Sequence, residues 1–154
     1  MFKLSALLKF LGVSSKFIVL LMLASLLKER YDSISMVIPA LRWDTGLALL
    51  SLALHLPLFW TSMIAPLALL IALSMASDVL LNAGEPAAFD QSMRAHIGRI
   101  AGLLIFAGCA WLVLVPSLEY FILSGKLSLV LHFSLNDLAV LLTGVLCRML
   151  LFFK

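Results

Sequence analysis

From Leu47 to Ala76 the chain runs for thirty residues without an Asp, Glu, Lys or Arg. A water-soluble fold of this size has nowhere to hide such a run. Soluble domains are about 45–50% apolar and about 25% charged, whereas this 154-residue sequence is 64% hydrophobic and 12% charged. Its mean hydropathy is +1.16, and short chains leave much of their surface uncovered. Lipid is therefore the expected solvent for most of the chain. The run is too long for one span of roughly 20 residues and too short for two, so the pattern within it has to divide it.

Leucine occupies every second place from Leu50 to Leu58, the periodicity of a strand. Pro57 then suits the first turn of a helix. The expectation is a short outer strand within 28–57 and a transmembrane helix over 58–83, stopped by Gly84 and Pro86. Pro66 inside it removes a donor and predicts a kink near Ser62. Upstream, Phe17–Leu27 is too short to span alone, but Leu4, Leu7, Leu8 and Leu11 continue a helical stripe. Helix one is expected over 9–27 and uncleaved, because Leu26, Leu27 and Lys28 leave no small-residue cleavage site. Lys28 to Gly46, with its charges, Tyr31 and Trp43, reads as an outer loop.

After a cytoplasmic loop over 84–94, a third helix is expected over 95–115, ended or bent by Pro116. Leu127 to Leu135 alternates again and predicts a second outer strand over 127–134. Ser134 with Asp137 is a weak capping box for a fourth helix over 135–153. The two alternating segments share Leu-Ser-Leu-x-Leu-His at an offset of 77, half the chain. The sequence thus reads as one all-α membrane domain over 1–154, with four transmembrane helices in two hairpin repeats and a small extracytoplasmic β element. With the N-terminus inside, Lys3, Lys9, Lys16, Arg94, Arg99, Arg148 and Lys154 are cytoplasmic, against Lys28, Arg30, Arg42 and Lys126 outside. Seven against four favours a multi-pass protein of the bacterial inner membrane with both termini in the cytoplasm.

Gly84-Glu-Pro86 with Phe89, then Arg94, Ile97 and Gly98, and Phe133-Ser-Leu135 before the last helix, resemble a bacterial family of small four-helix membrane proteins of unknown function. The likeness covers nearly the whole chain through short motifs. Two alanines separate Pro86 from Phe89, where members tend to have Pro and Phe adjacent, and many members carry a charged tail beyond the position of Lys154. Members often occur beside small helix-turn-helix regulators, which implies a regulated membrane role and no particular chemistry.

Arg94, His96 and Arg99 open helix three, opposite Asp78 near the end of helix two. They form a candidate contact for a partner or a lipid headgroup, set against plain positive-inside anchoring with Asp78 neutralised by a neighbour. Gly98 and Gly102 form a GxxxG facing Ala68, Ala72 and Ala76, which predicts tight packing of helices two and three, or a homodimer through the same glycines. His55 and His132 hold equivalent places in the two repeats, but two histidines without a further ligand make a weak metal site. Cys109 and Cys147 form no CxxC pair. The scattered basic residues argue against nucleic acid. No nucleophile elbow, zinc-protease motif or phosphate loop is present, so no cofactor, metal or enzymatic activity is expected. Transport needs polar groups at membrane depth. With Lys16 the deepest charge and no central carboxylate, the leading expectation is an accessory or regulatory membrane protein acting through lipid or protein contacts. The alternative is a small transporter or pore formed by self-association.

Overall fold

The structure, a computed structural model, describes residues 2–37, 57–83 and 91–152, with side chains over 6–29, 57–83 and 93–151. Within these residues four helices account for almost everything: α1 (Phe2–Val37), α2 (Pro57–Asn82), α3 and α4 (Leu135–Phe152). The third, α3, runs as Gln91–Cys109, passes through one π turn at Ala110–Leu114, and finishes as Val115–Ser124. Three helical stretches are long and apolar enough to cross a membrane: Ala6–Glu29, Pro57–Asn82 and Met93–Ser124.

Two of the helices, α1 and α3, extend beyond their expected ends for local reasons. The sequence reading stops helix one at Leu27, where charges begin, yet α1 continues to Val37. Lys28, Glu29 and Arg30 are good helix formers, and no Gly or Pro interrupts the chain before Pro39. Pro57 opens α2, and Pro66 lies inside it. Pro116 does not end α3; the helix crosses it after the π turn and stops at Gly125, whose φ of 68° is the left-handed C-cap conformation.

The expected β element is a correction. Among the described residues there is no strand. Residues 126–134 are irregular, and their backbone bonds go to α3 rather than to a ladder. Val130 N–H donates to Ser117 Oγ at 3.0 Å, and His132 N–H donates to the Leu112 carbonyl at 2.9 Å. The alternation seen in the sequence belongs to this segment laid along a helix, its odd-numbered apolar residues turned outward, with Leu127 91% and Leu135 84% exposed. The first expected strand, Leu50–Leu56, lies outside the described residues.

Each helix packs on its neighbours in the chain, α1 on α2, α2 on α3, and α3 on α4 most extensively, while α1 and α4 do not meet. The result is an open row. Its core is rich in small residues: Ala65, Ala68, Ala72, Ala101, Ala107 and Ala110 are buried together with Met63, Leu70, Met93 and Leu112, whereas many other Leu and Phe side chains are exposed. Close approach rests on glycines other than the expected pair. A Cβ on Gly108 would stand 2.7–2.9 Å from Leu141, and one on Gly144 would stand 2.8–2.9 Å from Ile105 and Leu104. Gly98 faces Arg148 and Leu151 of α4 rather than Ala68, Ala72 and half-buried Ala76, and Gly102 faces open space. Replacing Gly108 or Gly144 by Ala is expected to lower stability by about 1–3 kcal/mol through overpacking, whereas Gly102→Ala, with open space for the methyl, is expected to raise it by about 0.5–1 kcal/mol through helix propensity. Thermal unfolding of the three variants in detergent micelles checks this ranking.

Candidate functional site

The antiparallel packing gathers charge at one end of the row. Gly12 of α1 lies against Leu81 of α2, and Gly98 of α3 against Arg148 of α4. The starts of α1 and α3 therefore share an end with the finishes of α2 and α4. Arg94, His96 and Arg99 are all exposed there on the first turns of α3. Arg148, which the sequence reading did not include, joins them from α4, its guanidinium donating to the Gly98 carbonyl at 3.4 Å. Counting back along an antiparallel α4 is the only signal that could have found it.

Asp78 is not part of this cluster. Its carboxylate pairs with Lys16 Nζ at 2.6 Å. One residue earlier on each helix, the hydroxyls of Ser15 and Ser77 are hydrogen-bonded at 2.7 Å. Ser77 is fully buried, and its hydroxyl also lies 2.9 Å from the Leu73 carbonyl. The two adjacent polar pairs clasp α1 to α2. Of the 84–99 segment expected to centre the contact surface, residues 84–90 lie outside the described residues.

A second polar level lies at the π turn. Pro116 has no N–H, so the Leu112 carbonyl four residues before it lacks its helical donor; the N–H of His132 takes its place. Ser117 fixes the same segment twice, accepting from Val130 N–H and donating to the Val130 carbonyl at 3.3 Å. The imidazole of His132 stands with Nδ1 3.8 Å from Asp137 Oδ2, in the first turn of α4, where a carboxylate is favoured by the helix dipole. His55, the expected counterpart of His132, lies outside the described residues.

A third feature is a pocket of about 330 Å³ between α1, α2 and the π turn, with Met22, Ser25 and Glu29 on one wall, Pro66 and Leu70 on the next, and Trp111 closing the third. The three α1 residues fall at i, i+3 and i+7, one stripe of a helix. Because the sequence reading ended helix one at Leu27, Glu29 was expected in an outer loop; the longer α1 carries it onto the stripe instead. Trp111 reaches the pocket from the π turn, which a residue-by-residue reading of propensity does not reveal.

No protein-family model, no curated protein and no solved structure matches the chain. The arrangement is read on its own chemistry. If Ser117 holds the 126–134 segment on α3, Ser117→Ala removes about 1–2 kcal/mol of attachment, raising the detached population about 5–30-fold. Trypsin cleavage after Lys126 in the detergent-solubilised protein is expected to accelerate to match; an unchanged rate contradicts the attachment.

Proposed function

We propose that this chain is a multi-pass protein of a bacterial cytoplasmic membrane, crossing it four times with both ends inside, and that it works by holding anionic lipid headgroups at its basic end. The observation that carries the reading is the convergence of Arg94, Arg99 and Arg148 at one end of the α3–α4 pair. Lys9 and Lys16 are brought to that end by the Gly12–Leu81 contact. Clustered basic side chains at a membrane surface attract anionic lipids, and the positive-inside bias assigns this end to the cytoplasm.

Dimensions support the embedding. The uncharged stretches Pro57–Ser77 and Ile100–Leu118 are about 31 and 28 Å long at 1.5 Å per residue, close to the roughly 30 Å hydrocarbon thickness. A core of alanines under a surface of Leu and Phe suits helices packing in lipid, where small residues allow close approach. The flanking helices are shorter between charges. α1 has eleven residues between Lys16 and Lys28, and long cationic stems reach outward to make up such a difference. In α4, Asp137 and Arg148 are separated by ten.

The headgroup reading predicts that Arg94→Gln with Arg99→Gln weakens binding of short-chain phosphatidylglycerol to the purified protein by about 30-fold, at about 1 kcal/mol per charge. Binding of the zwitterionic phosphatidylcholine homologue should not change. Equal phosphatidylglycerol binding by wild type and double variant would remove the proposal.

A further inference from the structure

We propose that the pocket between α1, α2 and the π turn binds a lipophilic organic cation, with Glu29 as its negative pole and Trp111 as the face on which the cation rests. The inference is independent of the headgroup reading, since the pocket shares no residue with the Arg94, Arg99 and Arg148 cluster.

The pocket's chemistry selects the occupant. Glu29 is the one charged residue among its lining, and Ser25 the one hydroxyl; the rest is Met, Leu, Pro and Trp. Glu29 is exposed beside the apolar walls, and its carboxylate attracts a cation and repels an anion. The indole of Trp111 offers the best aromatic face for a cation, and the Met22 thioether adds a polarizable surface beside it. These features together suit an ammonium or phosphonium carrying apolar substituents.

A bare metal ion suits the pocket less well. Divalent cations need several oxygen or nitrogen ligands, and among the described residues no three His, Cys, Asp or Glu side chains gather around one point. A neutral lipid tail would fill the apolar walls but would leave the carboxylate against hydrocarbon, which is costly. At about 330 Å³ the pocket falls at the small end of the range for small-molecule sites. Glu29 already has an interaction within the chain, so a cation binds in exchange for that contact.

Trp111 belongs to the π turn, and the next residue, Leu112, accepts the N–H of His132. An occupant resting on Trp111 therefore sits next in sequence to the residue that anchors the 126–134 segment.

The test uses the full chain purified in detergent micelles, with radiolabelled tetraphenylphosphonium measured by equilibrium dialysis. The expected result is saturable binding of one cation per chain. Affinity should fall about tenfold or more in Glu29→Gln and about threefold or more in Trp111→Leu. It should hold within about threefold in Glu29→Asp, which keeps the charge, and should not change in Glu119→Gln, which lies outside the pocket. Triphenylphosphine oxide, a neutral analogue, should compete poorly with the labelled cation on the wild type. The proposal is overturned if Glu29→Gln binds the cation as tightly as the wild type. It is equally overturned if the neutral analogue competes as well as the cation, or if uptake by the wild type never saturates, because each marks partition into apolar surface.

Discussion

A chain whose outer surface is leucine and phenylalanine has to find partners for its backbone polar groups within itself, because hydrocarbon supplies none. Pro116 breaks that rule for one carbonyl, Leu112, and the structure beyond residue 110 follows from how the break is repaired. The N–H of His132 fills the vacancy, and Ser117 takes both backbone groups of Val130. Those bonds lay 126–134 along α3 and set where α4 can begin. From Leu135 the antiparallel course brings Leu141 against Gly108, Gly144 against Ile105, and Arg148 against the Gly98 carbonyl. A residue with an N–H at 116 would compete with His132 for the same acceptor. The proline and the extended segment thus depend on each other.

The first pair of helices is joined by a different device. Gly12 lets α1 approach Leu81 closely, and one turn further on the Ser15–Ser77 and Lys16–Asp78 contacts close over the junction. A lone aspartate or lysine at this depth would be costly, and the pair lowers that cost without placing either group in the core: both side chains are about half exposed. With α1 and α4 on opposite flanks of an open row, the large side chains turn outward and the alanines inward. That is the reverse of a water-soluble bundle.

Composition and spacing revealed the long apolar helices and the breaks that a span of about 20 residues demands. The start of α2 at Pro57 and of α4 at Leu135 could be read from proline preference and from the end of an alternating run. Three features were not legible. The extension of α1 past Leu27 was hidden because charge was taken as a stop, although Lys-Glu-Arg favours helix, and with it Glu29 was missed as a pocket residue. The alternation of Leu127–Leu135 predicts a strand that does not form, because local pattern cannot say whether an extended segment bonds to a strand or to a helix. The Gly98–Gly102 spacing predicts packing on Ala68, Ala72 and Ala76, whereas the tight crossing within the chain uses the isolated glycines 108 and 144, because local spacing does not tell which face of a helix meets its neighbour. The basic residues at the start of α3 were recognisable singly, while the addition of Arg148 required the register.

The central claim is that one end of the row, carrying Arg94, Arg99 and Arg148, faces the cytoplasm while Glu119 and Lys126 face the opposite side of a membrane. The most direct measurement is labelling of single cysteines at Arg94 and Lys126 in intact cells, in a background where Cys109 and Cys147 are replaced, with a membrane-impermeant maleimide. The account predicts that Lys126→Cys labels from outside and that Arg94→Cys labels only after the cells are permeabilised. Labelling of Arg94→Cys in intact cells, or of both sites equally, would contradict it.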